Sequence, residues 1–432
     1  MGKNYAVAVL DIGTSGVRML VGRVGENGTP KIIAKADANC RGGIKRIDEY
    51  DRGGLQDAIA SVVDSIKMKT GLEIHSCYVN LRNDYISTFN NEGNVSIKED
   101  SEGVTDSDIG ELLNDASSVD LRDNEVLVDV IPLAYYADGA TVKGELQGLK
   151  CKHLKVDANV VVADANAIKK IEKILSEVGL SVDGYVPTFF SKQKVLPSAY
   201  FSTAGKKSCF VLIADIGSEL SEYTVFYNGI PFVFNTVNLG GANITKDLSI
   251  VLNISQNEAE RLKIDYPIAS SESLGNDVEI AIFPLEKGEK EMVNVSYVVE
   301  IMQARIKDMT ENIIKKASED LRNMGINSPF DRVVLIGEGI ARFSGINEAV
   351  EDVCPGTEIE VLNIGRDIGM KNTYSIATGM LLYVSSNIKY GRTPSKIVKE
   401  TPEDKNAPAE ESMSPIKKIV DKVKSWFVLF KD

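Results

Sequence analysis

With 432 residues, 43% of them hydrophobic and 26% charged, the chain exceeds what one hydrophobic core usually organises, so two or more domains are expected. A formal charge of −13 makes the body repel nucleic-acid phosphates, which excludes nucleic acid as a partner. No stretch approaches the roughly 18 apolar residues of a spanning helix, and the opening MGKNYAVAVLDIGT lacks the pattern of a secretory signal.

Five cysteines (Cys40, Cys77, Cys151, Cys209, Cys354) are scattered without CxxC pairing, which suits reduced thiols in the cytoplasm. His75 and His153 are the only histidines. They leave little material for a zinc site or a Ser-His-Asp triad.

In chain order, Tyr5 to Leu10 reads as a strand, stopped by Asp11-Ile12-Gly13-Thr14-Ser15-Gly16 and resumed as Val17 to Val24. This is a hairpin whose turn is small and polar. A strand ends at Val79-Asn80, Thr105 caps a short helix opened by Asp106-Ser107-Asp108, and two alternating runs follow, Glu125 to Tyr136 and His153 to Ala163. Together they predict an inserted α+β module over roughly residues 83 to 163. Ala167 to Val178 has helical spacing and stops at Gly179, a normal C-cap.

A second half opens with the strand Ser208 to Ala214, runs into Asp215-Ile216-Gly217-Ser218-Glu219, and resumes as Tyr223 to Tyr227, the turn Asn228-Gly229, and Pro231 to Val237. The pattern at Asp11 is thus repeated at Asp215. Duplication of an α/β unit would set the two turns face to face across a cleft; chance recurrence of a cheap tripeptide is the competing explanation. The strand Arg332 to Ile336 leads into a third glycine-rich turn, Gly337-Glu338-Gly339-Ile340-Ala341, with a helix expected beyond Gly345.

Residues 391 to 414 hold three prolines, no aromatic residue and many charges, and read as a disordered linker. From Pro415 the apolar residues Ile416, Ile419, Val420, Val423, Trp426, Phe427 and Phe430 form one helical face, with Lys417, Lys418, Lys422 and Lys424 around it. That is the composition of an interfacial helix for anionic membrane lipid; a helix docked on the chain's own body has the same stripe. One such helix binds weakly, so stable attachment implies self-association.

Polar glycine-rich turns present backbone N–H groups and hydroxyls to phosphate oxygens. Asp11 and Asp215 are candidates to hold the waters of a bound Mg2+. The third turn can approach a nucleoside closely because glycine lacks a Cβ.

In their order, DIGTSG (11–16), ADIGSE (214–219) and LIGEGIARFSGI (335–346) resemble the phosphate-1, phosphate-2 and adenosine motifs of the actin/sugar kinase/70-kDa heat-shock superfamily. LGGANITKDLSIVLNISQNEAERLK (239–263), with VLVDVIPLAYYADG and GLKCKHLKVDANVVVADAN, resembles the FtsA family within it. The resemblance spans roughly residues 5 to 388 and extends to the tail.

It implies a duplicated, actin-like α/β fold: two lobes around a nucleotide cleft, an inserted small α+β domain and a C-terminal amphipathic helix. Lobe I would comprise 1–82 with 164–192 and 375–390, and the insert 83–163. Lobe II would comprise 193–238 with 310–374, its subdomain 239–309, then a linker at 391–414 and a membrane helix at 415–432. ATP would meet Asp11, Gly13, Thr14 and Ser15 at the first turn, and Asp215, Gly217 and Ser218 at the second. Gly240, Gly241, Glu260 and Lys263 would lie by the nucleotide, with Gly337 and Gly339 at the third turn.

The implied function is an ATP-binding cell-division adaptor that anchors FtsZ filaments to the cytoplasmic face of the membrane at the division site. It would self-assemble into filaments alongside other divisome proteins, with the FtsZ C-terminal tail docking around residues 240 to 310 and Arg305. The alternatives are a soluble ATP-dependent enzyme, or a chaperone-like or pilus-assembly scaffold, of the same superfamily. The family pattern is broken at Ser218-Glu219-Leu220-Ser221, at Glu338, and at Pro187-Thr188 before Ser191, where relatives often carry a residue that polarises the attacking water. Binding is therefore expected with weak or absent hydrolysis.

Overall fold

A computed structural model describes residues 5–25, 29–40, 52–98, 102–202, 208–285, 289–364, 371–388 and 397–399. The chain divides into two units, 1–194 with 376–432 and 195–375. The tail helix expected at 415–432 lies outside the described residues.

In the first unit β1 (Tyr5–Ile12), β2 (Gly16–Val24) and β3 (Pro30–Asn39) form an antiparallel meander. The chain then returns through α1 (Arg52–Thr70) and the short β4 (Leu72–Ile74) to β5 (Ser76–Leu81), which lies parallel to β1. Leu55, Ile59, Val62 and Ile66 bury one stripe of α1, the spacing of a helix laid on a sheet.

Between β5 and its other parallel neighbour sits the inserted module: β6 (Ile86–Ser96), α2 (Asp106–Ser117), β7 (Glu125–Ala137), β8 (Ala140–Thr141) and β9 (His153–Asp164). Its sheet runs β6-β9-β7-β8, with α2 packed over Leu154, Val156 and Ala158 through Leu112, Leu113 and Ala116. Thr105 caps α2 in a capping box with Asp108, as its sequence predicts. The strand β6 is absent from the sequence reading, because ISTFNNEGNVS carries little apolar alternation. It is made by its partners: Gly93 passes directly beneath α2, where a Cβ would strike the Leu112 carbonyl and Ala116.

After β9, α3 (Ala165–Glu177) starts two residues earlier than its apolar spacing suggests, because the Asp164 carboxylate accepts from the Ala167 N–H at 2.8 Å. Then come β10 (Ser181–Pro187), parallel to β5, and α4 (Thr188–Val195).

The second unit repeats the plan. An antiparallel meander of β11 (Phe210–Ile216), β12 (Ser221–Tyr227) and β13 (Ile230–Val237) is joined by helices α5 (Gly241–Val251) and α6 (Gln256–Asp265). The hairpin β14 (Glu279–Ile282) with β15 (Glu291–Asn294) and the long α7 (Val295–Asn323) follow. The parallel strands β16 (Arg332–Ile336), reached from α7, and β17 (Glu358–Val361), reached through α8 (Ile346–Val350), complete the sheet.

The two sheet orders, β3-β2-β1-β5-β10 and β13-β12-β11-β16-β17, are the same arrangement: a hairpin strand at the centre, two antiparallel strands on one side and two parallel strands on the other. Register agrees as well, Ile12↔Val17 closing one hairpin and Ile216↔Ser221 the other. Identical topology and register exclude a chance tripeptide, so the unit is duplicated and the fold is actin-like. What differs is where each copy takes its insertion: after β5 in the first unit, after β13 in the second.

The chain re-enters the first unit through α9 (Ser375–Ile388). Within the stretch expected to be linker, β18 (Ile397–Lys399) pairs antiparallel with β4, Val398 opposite Glu73. The disordered reading of 391–414 is corrected at these three residues, whose backbone pairs with the open edge of β4.

Gly93→Ala should lower unfolding stability by about 1–3 kcal/mol, because the added methyl must displace helix backbone rather than a pliant side chain. Denaturant titration of the two proteins checks this, and equal midpoints would contradict the packing described.

Candidate nucleotide site

At the first turn Asp11 is buried at 7% exposure. Immediately after it the main chain is gripped by Asn80: the Ile12 N–H donates to Asn80 Oδ1 at 2.8 Å and Asn80 Nδ2 donates back to the Ile12 carbonyl at 3.2 Å. The turn closes through Gly13 N–H to the Gly16 carbonyl at 3.0 Å. Thr14 is half-buried and Ser15 exposed; among the described residues neither hydroxyl has a protein hydrogen bond.

Arg18, which faces Asp11 in the hairpin register, folds back along this turn and donates from Nη1 to the Gly16 carbonyl at 2.9 Å. A Cβ on Gly13 would sit 2.9 Å from that nitrogen. Asn80 and Arg18 were not legible as site residues, because each acts on the turn from a neighbouring strand.

In the second unit three loops are joined backbone to backbone. The Gly241 and Ala242 N–H groups donate to the Gly217 and Ser218 carbonyls at 3.0 and 2.7 Å, and the Gly339 N–H donates to the Ile216 carbonyl at 2.8 Å. Ser221 Oγ, donating to the Leu239 carbonyl at 2.6 Å, ties the same turn to the chain entering α5.

The approach leaves no room for side chains. A Cβ on Gly240 would lie 2.5 Å from the Ser218 carbonyl, and Cβ atoms on Gly337 or Gly339 would overlap the Asp215–Gly217 segment. Gly337 has a φ of +100°, a conformation glycine adopts without penalty. So Asp215, Gly217, Ser218, Gly240, Gly241, Gly337 and Gly339, separated by more than a hundred residues of sequence, form one junction. The N–H groups of Gly241 and Ala242 are already committed within it.

Beside the junction Lys263 is buried at 8% exposure. Its ammonium donates to Glu260 Oε2 at 2.6 Å, Thr245 Oγ1 at 2.8 Å and the Gly241 carbonyl at 3.2 Å. Three donors meet three acceptors, which locks α6 to the first turn of α5. Thr245, also bonded to Glu260, was missed as a site residue although it stands four positions after Gly241, one helical turn.

Burial opposes both charges of the pair. It prevails at Lys263, holding the ammonium below its ordinary range against the bond to Glu260. At Glu260 burial pushes the carboxyl up, but the bonds from Lys263 and Thr245 together outweigh it and hold the group below its ordinary value.

Two of the residues that depart from the family pattern have local partners. Glu338 turns to Arg342, four residues on in the same turn, at 3.3 Å. Thr188 is buried and donates to Asn83 Oδ1 at 3.2 Å. Arg305 lies on α7 between two carboxylates, bonding Asp247 of α5 and Asp308 at 2.7 Å; the bond to Asp247 outweighs burial and raises its already high pKa. Among the described residues no group of three or more His, Cys, Asp or Glu side chains is placed to hold a metal.

Because the folded-state pKa of Glu260 is lowered from 4.5, its stabilising contribution is complete above that pH and is lost as pH falls below it. Glu260→Gln should flatten the acid side of the stability profile while leaving its neutral-to-alkaline side parallel to wild type. Denaturant midpoints from pH 7 down to pH 3 (about the carboxylate range) test the sign.

Comparison with known proteins agrees with this geometry. The family described as "Cell division protein FtsA" matches residues 212–406 and the "SHS2 domain inserted in FTSA" matches residues 83–162. The chain is 25% identical over 353 residues to the cell division protein FtsA of Bacillus subtilis (strain 168), covering 82% of this chain and 78% of that one. It is 24% identical over 392 residues to FtsA of Escherichia coli (strain K12), covering 87% and 90%. Among solved structures, a chain of the "PilM-PilN type IV pilus biogenesis complex" superposes with a TM-score of 0.55 at 16% identity, covering 87% of this chain and 97% of that one, a likeness of fold alone. With the duplicated actin-like units, the inserted module and a match to both family descriptions on the page, the chain belongs to the FtsA family of cell-division proteins.

Proposed function

We propose that the chain is an ATP-binding adaptor that anchors FtsZ filaments to the cytoplasmic face of the membrane at the division site, assembling into filaments of its own. The observation that carries the nucleotide part is the glycine junction of the second unit, with the Lys263–Glu260–Thr245 lock beside it. A main-chain junction held rigid by its own hydrogen bonds is a preorganised seat of the kind that tight binding of a nucleotide favours. Within the first unit, the Thr14 and Ser15 hydroxyls, which have no protein hydrogen bond among the described residues, and the guanidinium of Arg18 suit phosphate oxygens.

Mg2+ fits this donor set as an ion carried largely by water and phosphate. Asp11 and Asp215 are the carboxylates proposed to meet its waters, and among the described residues no all-protein cage is gathered. Its chemistry would be to neutralise charge on the phosphates. Neither Pro187 nor the buried Thr188 is a group that polarises an attacking water, which supports binding with weak or absent turnover.

Arg305 is the proposed contact for the acidic FtsZ tail. It is pre-oriented by Asp247 and Asp308, and an arriving carboxylate would have to compete with them. The membrane part rests on the sequence of residues 415–432, whose apolar stripe and lysines match an interfacial helix.

Asp11→Ala should weaken Mg-dependent ATP binding by about tenfold or more, measured by calorimetry; equal affinity would remove Asp11 from the site. Trp426→Glu with Phe427→Glu should abolish pelleting with anionic vesicles while ATP binding persists. At about 25 cal/mol per Å2 the two rings supply several kcal/mol, comparable to the whole affinity of one helix. Normal pelleting of that variant would favour the soluble enzyme or scaffold reading.

A further inference from the structure

The chain passes from the first unit to the second at Lys194/Val195 and returns at Ser375/Ile376, so the end of α4 and the start of α9 are its two connections. Within the first unit these helices touch where α9 has no side chain to interlock: Gly379 of α9 lies against the backbone of Ser191, and a Cβ there would overlap it. The hydroxyls of Ser191, Thr378 and Ser385 on these two helices are buried and make no hydrogen bond among the described residues. None of these three hydroxyls pins one helix to the other, and a close backbone crossing of that kind permits shear.

One turn along α9 the situation reverses. Tyr383 is fully buried, its ring stacked on Phe190 of α4 with centroids 4.9 Å apart and planes 3° from parallel. Its hydroxyl donates to Asp129 Oδ2 of the inserted module at 2.8 Å. Asp129 is 3% exposed and sits at a break in register, where β7 skips from Leu127 to Asp129 against β9. Its other oxygen accepts from the Val130 N–H at 3.0 Å. A buried carboxylate has few alternatives once seated, because leaving its donors unreplaced exposes the full cost of its burial.

We propose that Tyr383 is a relay that couples the two connecting helices to the inserted module: a slide of α9 on α4 is carried through the Phe190–Tyr383 stack and the Tyr383–Asp129 bond into β7. The role of Tyr383 is positional; it carries displacement, not chemistry. The inference rests on the nucleotide reading above, since nucleotide is the ligand taken to shift the connections.

The test is hydrogen exchange of the full chain with and without ATP-Mg, with ATP affinity measured separately by calorimetry. In wild type, ATP should change exchange across β7 and β9 by about threefold or more. Tyr383→Phe, which keeps the ring stack and removes the bond, should abolish that change with ATP affinity within about twofold of wild type. Asp129→Asn, which keeps an acceptor for the hydroxyl, should retain it. Phe190→Leu, a second variant should Tyr383→Phe fail to fold, should reduce the response by about half or more. A full response in Tyr383→Phe or Phe190→Leu, or no response in a wild type that binds ATP, overturns the relay. A wild type that binds no ATP overturns the nucleotide reading itself, and the relay with it.

Discussion

The second unit depends on the meeting of three main chains at Gly217. The hairpin after β11, the entry to α5 and the loop after β16 approach until their peptide groups bond one another, and the approach is possible only because Gly240, Gly337 and Gly339 present no Cβ. Peptide groups brought out of water must be paired, and here they pair with each other. The helices that follow inherit their positions from this junction. Lys263 then fastens α6 to α5 by saturating its three donors.

The first unit solves the same geometric problem by other means. Its hairpin turn is closed by one backbone bond and steadied from β5 by Asn80 and from β2 by Arg18. Duplicated topology with different local supports is what two copies are expected to show once each has packed a different insertion against a common frame. The inserted module brings its own core around α2 and reaches the rest of its unit through a buried polar contact at Asp129. A bond of that type specifies position more than it adds stability.

Two of the residues that break the family pattern are engaged by their neighbours: Glu338 pairs with Arg342, and Thr188 is enclosed beside Asn83.

Much was legible from the sequence because it depends on local rules. Alternation located β7 and β9, Thr105 marked the start of α2, and Asn228-Gly229, with φ values of 50° and 80°, announced a tight hairpin turn. The glycine-rich turns also singled out Gly217, Gly337 and Gly339, and the family resemblance Gly240 and Gly241, before any of them could be shown to touch. Tertiary structure decided what has no periodicity. It made a strand of the polar β6 beneath α2, and recruited Ile397–Lys399 to the edge of β4. It also brought Asn80 across 68 positions to the first turn and Tyr383 across 254 positions to Asp129. Such contacts join residues whose own neighbours in sequence say nothing of each other, because a buried donor is assigned its acceptor by the packing of whole elements and not by the local chain.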